Sequence, residues 1–304
     1  MITLKSNRLR VEIAENGEEP NTTFRFDRAG FISDIILDGS TWFCASEPRN
    51  LIHPTSGGRG LCSEYQCDVS QEAQIGGYFP KFGVGLIRKE ADEKYIFHKQ
   101  YADVKPFHVD VKAASDNAVF TTQDEPCMGY ALLCAKTIKV HDNSLQMDME
   151  VKNTGEKNIE ISEYCHNFLS IAGMALGPGY NLEFPTLMQK NAEKEALTNR
   201  NGEKIPIIGD GRNFIFSEFN AKASQFWLDL NGADSASPFS WRLTNSAAKA
   251  SVEEIVDFIP ADVSVWAIDH IISPEVFNHF TVKPGESKKW TRQWKFNATP
   301  LHRI

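Results

Sequence analysis

A histidine stands in the middle of a largely apolar run, Glu163-Tyr164-Cys165-His166-Asn167-Phe168-Leu169-Ser170-Ile171-Ala172-Gly173. Metal ligation, general acid–base catalysis and activation of a cysteine all use such a residue. Spacing bears on two of these. Glu163 and His166 are three apart, which would place two ligands on one face of a helix. The flanking sequence alternates with a period of two, however, and in a strand residues three apart point to opposite sides, so this pair does not chelate. Cys165 also faces away from His166 and is expected in the core, not in a thiolate–imidazolium pair. What remains is an imidazole that titrates near neutral pH as an acid–base group, or a strand-end histidine held by one hydrogen bond.

Other chemistry-bearing motifs are weaker. Cys62 and Cys67 lack both a CxxC spacing and a second matching pair, so a zinc site is not expected. Ser56-Gly57-Gly58-Arg59-Gly60 and Gly76-Gly77 lack the strand-to-helix setting of a phosphate loop and read as turns. No metal or organic cofactor is implied.

The elements around His166 read as strands. Phe24–Asp27 and Phe31–Leu37 flank Arg28-Ala29-Gly30 as a hairpin would, and His108–Lys112 and Ala118–Thr122 flank Ser115-Asp116-Asn117 in the same way. Alternation runs through Thr137–Val140, turns at His141–Ser144, resumes over Leu145–Val151, turns at Asn153–Lys157 and restarts at Ile159. One apolar and one polar face is the mark of antiparallel strands stacked on a core. Further strands are predicted at Ser224–Leu230, Phe239–Thr244, Val263–Ile272 and Lys288–Phe296, and one short helix within Met188–Leu197. With no linker or internal repeat, residues 1–304 read as one all-β domain, a large antiparallel β-sandwich.

Charge narrows the function classes. A net charge of -8 without a basic cluster argues against nucleic acid. No segment approaches the roughly 20 apolar residues that span a bilayer. The start of the chain does not read as a signal peptide, and the six cysteines read as reduced thiols, so the expectation is a cytoplasmic protein, monomeric or homodimeric. Such a surface suits small neutral metabolites or glycans.

The succession Leu145–Val151, Asn153-Thr154-Gly155, Ile159–Ile161 and Cys165-His166-Asn167-Phe168-Leu169 resembles the central segment of the aldose 1-epimerase (galactose mutarotase-like) superfamily. Thr23–Trp42 resembles that family's opening hairpin, and Ile272–Ser287, with its Lys283-Pro284-Gly285-Glu286 turn, its closing strand. The resemblance implies the family's supersandwich fold and acid–base opening and reclosure of a free sugar ring, without a cofactor. His166 falls on the family's catalytic histidine and Glu275 on its base, with Asp269 as the fallback. It further implies sugar contacts from Arg59 and Lys81, standing in for the family's first-half arginine and histidine, and from Asn167, with the two groups of the acid–base pair on either side of the ring. Trp241 is a further candidate because an indole face can stack on a pyranose. The sequence departs from the family in the first half, where Tyr78–Gly85 stands in place of a second histidine. That departure leaves a carbohydrate-binding protein without turnover, or a sandwich used only for assembly, as the competing readings.

Overall fold

The structure is a computed structural model, and it describes residues 1–15, 24–47, 58–191, 207–216, 224–230 and 238–299. Strands dominate it, and the only helical elements among the described residues are two single 3₁₀ turns at Ser70–Glu72 and Ile171–Gly173. No described helix is long and apolar enough to cross a membrane.

Two large antiparallel sheets face each other. The first runs Ile2–Lys5, Leu9–Ala14, Phe31–Leu37, Gly60–Gln66, Ile159–Phe168, Ile271–Val282, Asp262–Ile268, Ser224–Leu230 and Met188–Lys190, with Thr41–Trp42 beside Phe31–Leu37. The second runs Ile207–Gly209, Asn213–Phe216, Tyr180–Glu183, Phe239–Asn245, Ala250–Val256, Ser287–Ala298, Ser144–Asn153, Leu132–His141, Asn117–Gln123 and Val109–Ala113. A small sheet of Tyr78–Lys81, Gly85–Arg88 and Val104–Pro106 sits apart. Together the two large sheets make an antiparallel β-sandwich.

Period-two burial shows why these residues pair as they do. In Ser144–Asn153, Leu145, Met147, Met149 and Val151 are buried, while Gln146, Asp148 and Glu150 are only partly covered. The inward rows of both sheets merge into one apolar cluster. The chain changes sheet at Asn153. Its side-chain Oδ1 accepts from the Gly155 N–H, and its Nδ2 donates to the carbonyls of Lys157 and Val282. These bonds deliver Ile159–Phe168 into the middle of the first sheet, between Gly60–Gln66 and Ile271–Val282.

Three local expectations are corrected. Phe24–Asp27 is not a strand: Asp27 N–H bonds the Ser63 carbonyl, Arg28 N–H bonds that of Gly83, and the Asp27 carboxylate caps Ala29 N–H. The partner of Phe31–Leu37 is instead Leu9–Ala14. Val263–Ile272 is not one strand but two, Asp262–Ile268 and Ile271–Val282, turned at Asp269-His270. Where a helix was predicted, Met188–Lys190 pairs as a strand with Ser224–Leu230, and residues 192–197 lie outside the described residues.

Between the sheets lies a buried ionic network. Arg292 donates to both oxygens of Glu163, to Glu254 and to the Val276 carbonyl, and all three charged groups are fully buried. Trp241 Nε1 donates to Glu254 at 2.8 Å, and Trp294 Nε1 donates to Asn167 Oδ1 at 3.2 Å. Asn167 Nδ2 donates to the Pro274 carbonyl at 2.6 Å. Trp241 and Asn167 are therefore structural groups of the core, not the sugar contacts that the sequence suggested. Low dielectric makes such a network costly unless each member is paired, which these are.

Candidate active site

On Ile159–Phe168 the odd residues Glu163, Cys165 and Asn167 turn to the core, so Tyr164, His166 and Phe168 turn to the other, outer face. The same alternation on Ile271–Val282 puts Ser273, Glu275 and Phe277 outward, and on Asp262–Ile268 it does so for Ser264 and Trp266. His166 and Glu275, distant in sequence, meet there: Nε2 lies 3.2 Å from Glu275 Oε1, and both side chains are only 3% exposed. Ser264 Oγ donates to Glu275 Oε2 at 2.8 Å and Ser273 Oγ to Oε1 at 3.2 Å, which fixes the plane of the carboxyl group.

The expected placement on either side of a sugar-sized gap is corrected, because no ring stands between atoms this close. Glu275 lies within the strand Ile271–Val282. Asp269, the fallback, is half-exposed at the hairpin turn beside His270.

Aromatic groups enclose the histidine. Phe168 stacks on it at a centroid distance of 4.0 Å, and the Phe26 and Trp266 rings meet it edge-on. The aromatic row continues through Tyr164, Phe277 and Trp227. Gly58 is required beneath it, since a Cβ there would lie 1.7 Å from the Phe168 ring. Gly60, at φ +66, leaves no room against the Ile32 carbonyl. The glycines of this stretch serve close packing beside the site.

A charged cluster adjoins the pair. Glu64 faces Tyr164 across the register. It accepts from Arg25 Nε and from the Tyr164 hydroxyl, both at 2.6 Å, and from Lys81 Nζ at 3.2 Å. Arg25 also bonds the Tyr164 hydroxyl, and its guanidinium lies over both the Phe26 and Phe97 rings. Burial alone would raise the Glu64 carboxyl, but Arg25 and Lys81 hold it at about 2. Burial, aided by the Arg25 charge, pushes His166 well below its ordinary value. Burial pushes Glu275 up to about 7, against the pull of Arg25 and the two serines. Near neutral pH the Glu275 carboxyl is therefore partly protonated beside a neutral imidazole. His166 Nδ1 is buried with no hydrogen-bond partner.

Of the residues singled out in the sequence, the structure brings His166, Glu275 and Lys81 into one neighbourhood. Arg59 is elsewhere: it is half-exposed, donates to the Ser33 carbonyl and lies 3.8 Å from Asp34. Arg25, Glu64, Tyr164 and Trp266 were missed. Phase alone could have found Trp266, which is out of step with Val263, Val265 and Ala267, just as it would have placed Trp241 inside with Phe239 and Leu243. No sequence signal marks Arg25. Among the described residues, no three His, Cys, Asp or Glu side chains group as metal ligands.

No family model matches the chain, and no curated protein matches it in sequence. Solved structures do resemble it. A galactose mutarotase-like protein from Lactobacillus casei is 13% identical with a TM-score of 0.57, over 98% of this chain and 100% of that one. Another, from Clostridium acetobutylicum, is 12% identical with a TM-score of 0.56, over 98% and 95%. Galactose 1-epimerase from Lactobacillus acidophilus is 15% identical with a TM-score of 0.53, over 97% and 93%. The chain thus shares, over nearly its whole length, the fold of galactose mutarotase-like proteins.

Proposed function

We propose that the chain is an aldose 1-epimerase-like isomerase that interconverts the anomers of a free sugar, with His166 and Glu275 as its acid–base pair. The observation that carries this reading is their contact on the outer face, where an imidazole, a carboxyl near neutrality and a partly buried Trp266 converge. Ring opening removes the proton of the anomeric hydroxyl, protonates the ring oxygen and breaks the bond between that oxygen and C1. Rotation about C1–C2 and the reverse transfers close the ring on its other face. Both oxygens are bonded to C1, so a pair in mutual contact serves them from one side: the neutral imidazole takes one proton while the carboxyl gives the other, the reverse of the base role that the resemblance assigns to Glu275. Each positioned group contributes about 10²–10⁴-fold.

A second reading, sugar binding without turnover, is favoured by one observation: both groups are almost fully buried and closed on each other. Exchange NMR between α and β anomers of galactose, glucose and related aldoses tests the choice. Turnover predicts exchange above the buffer rate, and a loss of about 10²–10⁴-fold in kcat/KM for both Glu275→Gln and His166→Asn. Exchange at the buffer rate, with sugar bound, would establish the second reading.

A further inference from the structure

The outer face of the first sheet continues past the acid–base pair. Alternate residues of Ile159–Phe168 lie in one row, so Ser162 and Glu160 follow His166 and Tyr164 on the same side. At about 3.4 Å per residue, Ser162 stands about 14 Å along the strand from His166. Across the register, Ser162 faces His279 and Glu160 faces Thr281. These four residues wall a cavity of about 740 Å³ that also takes in Gln66, Asp68 and Tyr130. A second cavity of about 320 Å³ adjoins it, sharing Gln66, Cys67 and Asp68. Its far walls are Glu64 and Lys81 of the charged cluster and the rings of Phe79, Tyr95 and Phe97. Arg25, bonded to Glu64 and lying between the Phe97 and Phe26 rings, joins this end to the surroundings of His166.

Size and lining define the ligand. Ligand pockets measure about 300–1,000 Å³, and the two cavities together exceed what one hexose ring fills. Gln66, Asn158 and Ser162 offer neutral donors and acceptors, and the Ser162 hydroxyl is buried with no partner. Asp68 and Glu160 repel anions, while Phe79, Tyr95 and the half-exposed Phe97 give the smaller end an apolar wall. Many hydroxyls, apolar ring faces and no negative charge describe a neutral glycan.

We propose that this groove holds a chain of neutral sugars, so that the His166–Glu275 pair acts on the reducing end of an oligosaccharide. Turnover of that end rests on the acid–base reading above, whereas binding rests on the groove alone. The experiment pairs calorimetric binding with anomer-exchange NMR, using glucose, galactose and their α-1,4- and β-1,4-linked di- and trisaccharides. In at least one series, affinity and kcat/KM should rise by about tenfold or more from monosaccharide to trisaccharide, because contacts remote from C1 add to the binding energy. Glu160→Trp and Thr281→Trp, at two exposed positions, should each return the trisaccharide-to-monosaccharide ratio to near one. Monosaccharide exchange with no dependence on length would overturn the groove proposal and leave the acid–base reading standing. Length-dependent binding without exchange would support the groove and sink the acid–base reading. Neither binding nor exchange with any of these sugars would overturn both.

Discussion

The strand Ile159–Phe168 presents ionisable groups to both of its sides, and the two sides treat them differently. Inward, Glu163 meets Arg292, which also holds Glu254, and every polar side-chain atom of this set finds a partner. Outward, His166 keeps one nitrogen without a partner, and Glu275 is held near neutrality, away from its ordinary carboxylate range. A buried network closed on itself has no proton or hydrogen bond to offer a ligand, so it joins the sheets. One with a loose end and a shifted carboxyl is costly to fold and is the arrangement that chemistry needs.

The largest effect should come from breaking the inner side. Arg292→Met leaves Glu163 and Glu254 buried without a counter-charge, and the expected loss is about 3–5 kcal/mol in urea unfolding. Because the same network and the shared core join both sheets, we propose that the chain unfolds as one unit, with one transition in calorimetry. Two separable transitions in the wild type, or an Arg292→Met protein as stable as its parent, would remove the distinction between the two sides.

The outer side should behave in the opposite sense. Glu275 has a folded-state pKa of about 7, above its ordinary value, so the folded protein binds this proton more tightly than the unfolded chain does. Stability is therefore unpenalised at low pH and falls as pH rises from about 4.5 toward 7, by about 3 kcal/mol in all. His166, lowered by burial, acts the other way, costing stability as pH drops below about 6.5. Glu275→Gln should remove the first penalty: the variant gains stability over the wild type at pH 8, with little difference at pH 4, while losing exchange activity. A protonated carboxyl working beside a neutral imidazole also predicts that kcat/KM falls as pH rises through about 7 and falls again in acid, once the imidazole is protonated. A Glu275→Gln protein less stable than wild type at pH 8 would make the carboxyl a structural group like Glu163.

Much of this was legible in the sequence, for one physical reason: period-two alternation records which side of a strand faces the core. It gave the sandwich, the hairpin of Val109–Ala113 with Asn117–Gln123, and the outward phase of His166 against the inward phase of Cys165. The same rule, carried one residue further, assigns Asn167 to the core with Cys165, and it sorts Trp241 inward and Trp266 outward. What it could not give was anything set by pairing across distant strands. The contact between His166 and Glu275 depends on a register between Ile159–Phe168 and Ile271–Val282, and that register is not written in either strand alone. Arg25 was invisible for a similar reason. It lies on an irregular segment whose backbone bonds go to Ser63 and Gly83, so no periodicity announces where its side chain points.

The smallest effect contrasts two arginines, one that the sequence pointed to and one that it did not. Arg59 was the cation that the family resemblance pointed to, yet it is half-exposed and lies 3.8 Å from Asp34, at the long end of an ion pair. Exposed pairs contribute about 0–1 kcal/mol, so Arg59→Ala should lower stability by less than about 1 kcal/mol. It should also leave anomer exchange unchanged, because the guanidinium touches neither His166, Glu275 nor the charged cluster. Arg25→Ala removes the counter-charge that keeps Glu64 ionised and that acts on both members of the pair. Without it, burial dominates and Glu275 should titrate higher still, so the alkaline limb of the exchange profile should move upward in Arg25→Ala and stay in place in Arg59→Ala. Equal pH profiles for the two variants would mean that Arg25 only packs against Phe26 and Phe97. A loss of exchange in Arg59→Ala would return that residue to the site.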